Sequence, residues 1–252
     1  MRFASLGSGS RGNALVVEAG RTRVLVDCGF GPRSLAARLE RLGLEAAGID
    51  AILVTHEHSD HLSGVAPCAR RHGLEVYLTH GTMSAARFEG VSVRVIDSHA
   101  PFAIGDLEIR PFPVPHDARE PAQFAFSDGS ACLGVLTDAG RVTPHMVAML
   151  ARCDALVLEC NHDVDMLAGG RYPAHLKRRI AGPYGHLDNA AAAELLAQVD
   201  TGRIKHVIAA HLSQENNLPD LARAALARVL GCEPAWIGLA DQDNGCDRRQ
   251  LY

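Results

Sequence analysis

The stretch THEHSDHLSG, residues 55–64, places three histidines and an aspartate within six positions. Packing gives no reason for that density, so His56, His58, Asp60 and His61 read as ligands. The run just before them, IDAILVT (49–55), has buried-strand character. Alternate side chains of a strand share a direction, so His56 and His58 at its end point the same way. Asp60 and His61 follow at the turn into a helix and reach an adjacent position. The zincin pattern H-E-x-x-H fails, because Asp60 stands where the second histidine belongs. Four ligands this close crowd a single tetrahedral ion that must keep an open position, and suit two neighbouring ions, roughly 3.5–4 Å apart in two-metal hydrolases.

Two ions need further ligands from other strand ends. His116 closes RPFPVPH, Asp138 closes LGVLTD, and His211 closes KHVIAAH. Each repeats the pattern of His56 after AILVT, an apolar strand ending in a hard or borderline ligand. One such residue alone is an ordinary turn or cap residue. Their recurrence carries the reading, and Asp138 is placed to bridge both ions.

Around these positions the chain reads as two similar courses of strands followed by helices. Strands are expected at 2–7, 13–19, 22–29, 75–79, 91–96, 107–114, 122–127 and 131–138. A helix is expected at 32–43, and another at 62–73 in which Pro67 marks a kink or the true start. Past residue 140, helix and strand alternate: helix 144–151, strand 155–160, helices near 173–181 and 188–199, strand 204–210, helix 219–230 and strand 236–240. The pattern predicts the α/β class, a four-layer αββα sandwich of two facing mixed sheets with helices outside. No linker or repeat divides it, so residues 1–252 are expected to form one domain.

Composition narrows the function. A formal charge of −4 gives no net pull toward nucleic acid. Seven cysteines, none in a C-x-x-C pair, fit reduced thiols better than a disulfide framework or a zinc ribbon. The N-terminal residues lack a signal peptide's apolar stretch, and no apolar run is long enough to span a membrane. A cytoplasmic protein with no membrane partner is expected. GSGSRG (7–12) fits G-x-G-x-x-G, but the strand-like NALVVEA follows instead of the helix a dinucleotide needs. A hairpin is expected there, with Ser8, Ser10, Arg11 and Asn13 available to line a site.

THEHSDH resembles the H-x-H-x-D-H signature of the metallo-β-lactamase superfamily, and His116, Asp138 and His211 fall in its order of later ligands. The resemblance implies one ion on His56, His58 and His116, another on Asp60, His61 and His211, and Asp138 between them. LGSGSRGNALVVE, VDCGFGPRSLAARL, PVPHDAREP, LVLECNHDVDML, YPAHLKRRI, GHLDN and HLSQENN are similar to the WalJ (YycJ)-like branch over almost the whole chain. That branch implies a nuclease-like metallohydrolase, with 5′ exonuclease action on DNA. Rival branches fit less well. Flavodiiron proteins have H-x-E-x-D where His58 stands. Lactonases and glyoxalase II set their third ligand in T-P-G-H, whereas His116 sits in PVPH. The β-CASP nucleases insert a domain before the last ligand.

The chemistry expected is phosphodiester cleavage. A water shared by two divalent cations ionises near pH ~7, and the cations offset charge on a phosphodiester oxygen. Zinc is the expected metal, with manganese or iron(II) as alternatives. Asp60 would orient the water as well as bind metal. His186 in YGHLDN, which resembles the phosphate-facing histidine of RNA-processing relatives, is the candidate to protonate the leaving oxygen, against a structural role at a helix start. Asn161, His162 and Asp163 could support the ligands. Lys177, Arg178 and Arg179, or Arg70 and Arg71, could contact phosphates or form solvated helix faces. SQENN (213–217) could hold the final ligand or cap a helix. His99, His145, His175 and His206 read as surface or structural. Nucleic acid, DNA before RNA, is the expected partner. A small-molecule metallohydrolase acting on a cyclic phosphodiester, lactone or thioester is the alternative, and a non-catalytic metal-binding protein a third.

Overall fold

A computed structural model describes all of residues 1–252. The chain opens with β1 (Arg2–Gly7), β2 (Ala14–Ala19) and β3 (Thr22–Val26), an antiparallel meander. Helix α1 (Pro32–Glu40) carries it to β4 (Ala51–Leu53). Helices α2 (Ser59–Leu62) and α3 (Val65–His72) lead to β5 (Glu75–Thr79), and α4 (His80–Ala85) to β6 (Val93–Ile96). Strands β3 to β6 run parallel. The second course begins with antiparallel β7 (Phe102–Ile104), β8 (Leu107–Pro113), β9 (Ala122–Ser127) and β10 (Cys132–Leu136). After α5 (Pro144–Leu150) comes β11 (Ala155–Glu159). Helices α6 (Val164–Gly169), α7 (Ala174–Ile180) and α8 (Asn189–Leu196) precede β12 (His206–Ala210), and α9 (Pro219–Leu230) precedes β13 (Gly238–Leu239), with β10 to β13 parallel. Finally β14 (Arg249–Gln250) returns to the first sheet beside β1. Each mixed sheet thus has seven strands, ordered β14-β1-β2-β3-β4-β5-β6 and β13-β12-β11-β10-β9-β8-β7.

The strands read as unbroken apolar runs because both faces are covered. In β2, Leu15 and Val17 face the second sheet, while Ala14 and Val16 pack with Leu35 and Leu39 of α1. Phe124 and Phe126 of β9 fill the space between the sheets with Phe3, Leu107 and Leu133. Behind the second sheet, Leu156 and Val207 meet Leu195 of α8 and Leu226 of α9. This is the αββα order expected. Glu18 is the carboxylate buried in β2, and it is paired with Arg2, Arg23 and Arg248.

Several boundaries differ from expectation. The helix expected at 62–73 is α3, which starts only at Val65 after its N-cap Gly64, while Leu62 closes the separate α2; Pro67 lies in the first turn of α3, where a missing N–H costs nothing. Helix α1 stops at Glu40, strand 49–55 shrinks to Ala51–Leu53, and strand 22–29 ends at Val26. The short elements α4, α6, β7 and β14 carry too little periodicity to be read. GSGSRG is the β1–β2 hairpin, as expected.

The two meanders and the parallel strands matter for one reason: they bring strand ends to one edge, where α/β sheets place their sites. Close backbone contact fixes that edge. A Cβ on Gly29 would sit 1.9 Å from the Asp60 carbonyl, and one on Gly64 would sit 1.9 Å from that of Phe30. The 28–30 segment therefore lies directly against the ligand-rich turn.

Candidate metal centre

His56 and His58 follow β4, and His61 lies on α2; His116 follows β8, Asp138 follows β10 and His211 follows β12. All seven expected ligands converge on one spot. The donor atoms of His56, His58 and His116 lie within 4.8 Å of one another, as do those of Asp60, His61 and His211. Asp138 groups with His56 and His61 on one side and with His211, His186 and Glu159 on the other. That is the position between two triads assigned to a bridging carboxylate.

Hydrogen bonds decide which ring nitrogen is left to bind. Asp27 accepts from His61 Nδ1 at 2.8 Å and from the Thr55 hydroxyl at 2.9 Å. With its proton spent on Asp27, Thr55 Oγ1 accepts from His56 Nδ1 at 2.9 Å. His116 Nδ1 donates to the Gly185 carbonyl at 2.9 Å. Each of these Nδ1 atoms is thereby committed and each Nε2 is turned inward, the usual preparation of a metal-ligating histidine. His56 Nε2, His211 Nε2 and Asp138 Oδ2 are buried and have no hydrogen-bond partner. An unpaired buried polar atom costs about 1–3 kcal/mol, and three in one cluster fit a group that divalent cations complete.

Charge points the same way. Burial, with His61 adding to it, drives the His56 imidazole well below its ordinary range, and burial lowers His116; both rings are neutral and able to bind. Burial opposes the charge on Asp60 and Asp138, but neighbouring histidines outweigh it and hold both carboxyls ionised. Burial likewise lowers His61 and His211, yet Asp138 prevails over it, lifting His61 well above normal and His211 to about 10. A cation binding here would have to displace protons from the two raised rings.

Above the cluster opens a cleft of about 310 Å³, whose walls include Ser10, Ser59, Tyr172, Arg179, His186 and Ser213. His186 lies at its inner wall, with Nδ1 donating to Glu159 at 2.7 Å. Its Nε2 has no partner within the chain and the side chain is 21% exposed. Burial lowers His186, and Glu159 reverses this to raise it. Asn161 lines the cleft and donates to the His211 carbonyl. Asp163 turns out to cap α6, and His162 is buried beside Asp188, so neither reaches the cleft. Of the basic stretch only Arg179 lines it; Lys177 is tied to the Ala168 carbonyl. Arg70 bonds the Glu89 carbonyl away from the cleft. In SQENN, Ser213 lines the cleft and Asn217 braces Cys160 and Asn189. Ser8 accepts from the His211 N–H, and Asn13 donates to Asp60; Arg11 pairs outward with Asp243.

Two contributors escaped the sequence reading, Asp27 and Glu159. Both end apolar strands, VLVD and ALVLE, which is the pattern that singled out Asp138. A charge closing a fully buried strand needs partners, and that signal marks them. Asp27 and His211 also hold left-handed backbone, at φ 59° and 54°, where non-glycine residues are uncommon and cluster at functional sites.

A family model described as "Beta-lactamase superfamily domain" matches residues 22–211. A Bacillus anthracis protein named exodeoxyribonuclease YycJ is 39% identical over 98% of this chain and 96% of its own length. Exodeoxyribonuclease WalJ of Streptococcus pneumoniae serotype 2 is 32% identical over 94% of this chain and 91% of its own. In structure the chain is similar to the metallo-beta-lactamase fold protein YhfI from Bacillus subtilis, with a TM-score of 0.76 at 17% identity, covering 98% of both chains.

Proposed function

The chain belongs to the beta-lactamase superfamily, in the branch of the YycJ and WalJ exodeoxyribonucleases, and from that membership and the cluster's geometry we propose that it is a 5′ exonuclease acting on DNA. It is a metal-dependent hydrolase. The observation that carries the reading is the convergence of seven donors, with Nδ1 of His56, His61 and His116 committed elsewhere and three inward atoms unpaired. We assign His56, His58 and His116 to one ion, Asp60, His61 and His211 to the other, and Asp138 to both. Zinc suits this mixture of imidazole and carboxylate, which manganese or iron(II) would also accept. Bound cations supply an acidified water and offset charge on the phosphoryl oxygens.

The rest falls to the chain's own side chains. Asp60, fixed by Asn13 at 3.2 Å, would help hold the ion and orient the water that the cations acidify. His186 presents Nε2 to the cleft and donates its proton to the leaving oxygen, while Glu159 fixes the ring and sustains its charge. Ser8 and Asn161 hold the His211 backbone. We place this activity in the cytoplasm, with residues 1–252 acting as one domain; no helix is long and apolar enough to cross a membrane. A small phosphodiester is the second reading, favoured by a cleft of only about 310 Å³. End-labelled single-stranded and duplex oligonucleotides with Zn²⁺ or Mn²⁺ test both. Stepwise release of nucleotides from the 5′ end of DNA is expected, and turnover of bis(p-nitrophenyl) phosphate with no oligonucleotide cut would overturn the nuclease reading.

A further inference from the structure

The cleft wall formed by α7 and the segment before it has no part in the proposed metal chemistry, yet two of its side chains are suited to a nucleic acid strand. Arg179 stands near the end of α7, 58% exposed, with Nε donating to Asp117 Oδ2 at 2.6 Å. That carboxylate is tied in turn to the cluster: its other oxygen lies 3.5 Å from His116 Nε2 and 3.7 Å from His58 Nε2. Arg179 is therefore held by one nitrogen beside the cluster, and both terminal nitrogens of its fork have no partner within the chain. A guanidinium fixed at Nε with two free, parallel N–H donors is set to take a phosphate.

Tyr172 lines the same cleft in the turn between α6 and α7, half-buried, its hydroxyl unbonded within the chain. The turn is braced from both sides. Lys177 bonds the Ala168 carbonyl, and Gly170 packs so closely on Asn216 that a Cβ would sit 2.4 Å from its Oδ1. A phenol ring on a braced turn, lining the same cleft as the Arg179 fork, can offer a face to one base.

We propose that Arg179 and Tyr172 form a grip for a single unpaired nucleotide next to the scissile phosphate, Arg179 taking its phosphate and Tyr172 stacking on its base, with Asp117 as the positioning residue for Arg179. This rests on the nuclease reading and adds to it that the strand enters the cleft single-stranded. An aromatic face is indifferent to base identity, so the grip favours an unpaired end over a paired one without preferring a sequence. A paired end must fray first.

The test compares Arg179→Ala, Tyr172→Ala, Tyr172→Phe and the exposed neighbour Arg178→Ala, all metal-loaded. Steady-state cleavage of a labelled single-stranded oligonucleotide is read beside anisotropy of a phosphorothioate strand. Arg179→Ala and Tyr172→Ala should each raise KM and Kd about tenfold with kcat changed far less. The slope of log Kd against log salt should fall by about 0.7 in Arg179→Ala alone. Tyr172→Phe should keep wild-type affinity, since stacking needs only the ring, and Arg178→Ala should keep both affinity and slope. Cleavage by the wild type with equal KM for Arg179→Ala and Arg178→Ala overturns the grip and leaves the nuclease reading standing. Wild-type protein that neither cuts nor binds the strand overturns both.

Discussion

Replacing Glu159 by Gln removes one negative charge while keeping the side chain's shape. Glu159 is fully buried; one oxygen meets His186 Nδ1 at 2.7 Å, and the other accepts from the Ala139 and Leu187 N–H groups at 2.9 and 3.2 Å. The glutamine oxygen can keep the two backbone donors, which sets its NH₂ against His186 Nδ1 and favours the neutral ring. An opposite charge at this range raises a histidine by about 1–3 pKa units, or about 1.4–4 kcal/mol. The sign follows from the role proposed: His186 works protonated, Glu159 raises it, and so the charge extends activity to higher pH. In Glu159→Gln the alkaline limb of the kcat profile on a labelled oligonucleotide should move down by about 1–3 pH units. At low pH the variant approaches wild type. Above its limb it falls toward His186→Ala, a loss bounded by the roughly 10²–10⁴ that a general acid contributes. Coincident alkaline limbs in wild type and Glu159→Gln would refute the dyad.

Asp60→Ala and His116→Ala should each abolish oligonucleotide cleavage while circular dichroism remains native; retained turnover in both would discredit the hydrolytic site. Against burial, Asp138 raises both His61 and His211, the latter to about 10, and bound cations would need their lone pairs. Loading should therefore release protons, seen as a calorimetric enthalpy that tracks the buffer's own ionisation enthalpy; an enthalpy indifferent to buffer contradicts this. Gly29→Ala puts a methyl against the Asp60 carbonyl, whereas Gly31→Ala meets nothing within 4 Å. The first should weaken metal affinity about 10–100-fold and the second leave it unchanged, as read by competition with a chromophoric chelator.

The convergence of the histidines and aspartates was legible in the sequence because its logic is local: a strand delivers a side chain to a sheet edge, and the residue just beyond it shows its type. His56, His116, Asp138 and His211 each stand in that place. The same logic applies to Asp27 and Glu159, which escaped it because neither sits in a histidine-rich stretch, and a carboxylate after a strand looks like an ordinary turn residue until its burial is known. Asp163 shows the reverse error. It follows β11 closely enough to look like a support for a ligand, yet its side chain caps α6, a helix too short to announce itself. Arg179 could not be told from Arg178 by sequence, since only the rotation of α7 turns one toward Asp117 and leaves the other in solvent.

The most direct test is a count of bound metal with its location. Protein loaded with Zn²⁺, desalted and assayed by plasma mass spectrometry should carry two ions per chain. Anomalous scattering from its crystals should put them roughly 3.5–4 Å apart, one on the His56, His58 and His116 triad and one on the Asp60, His61 and His211 triad. A single ion, or density away from Asp138, would contradict the account at its centre.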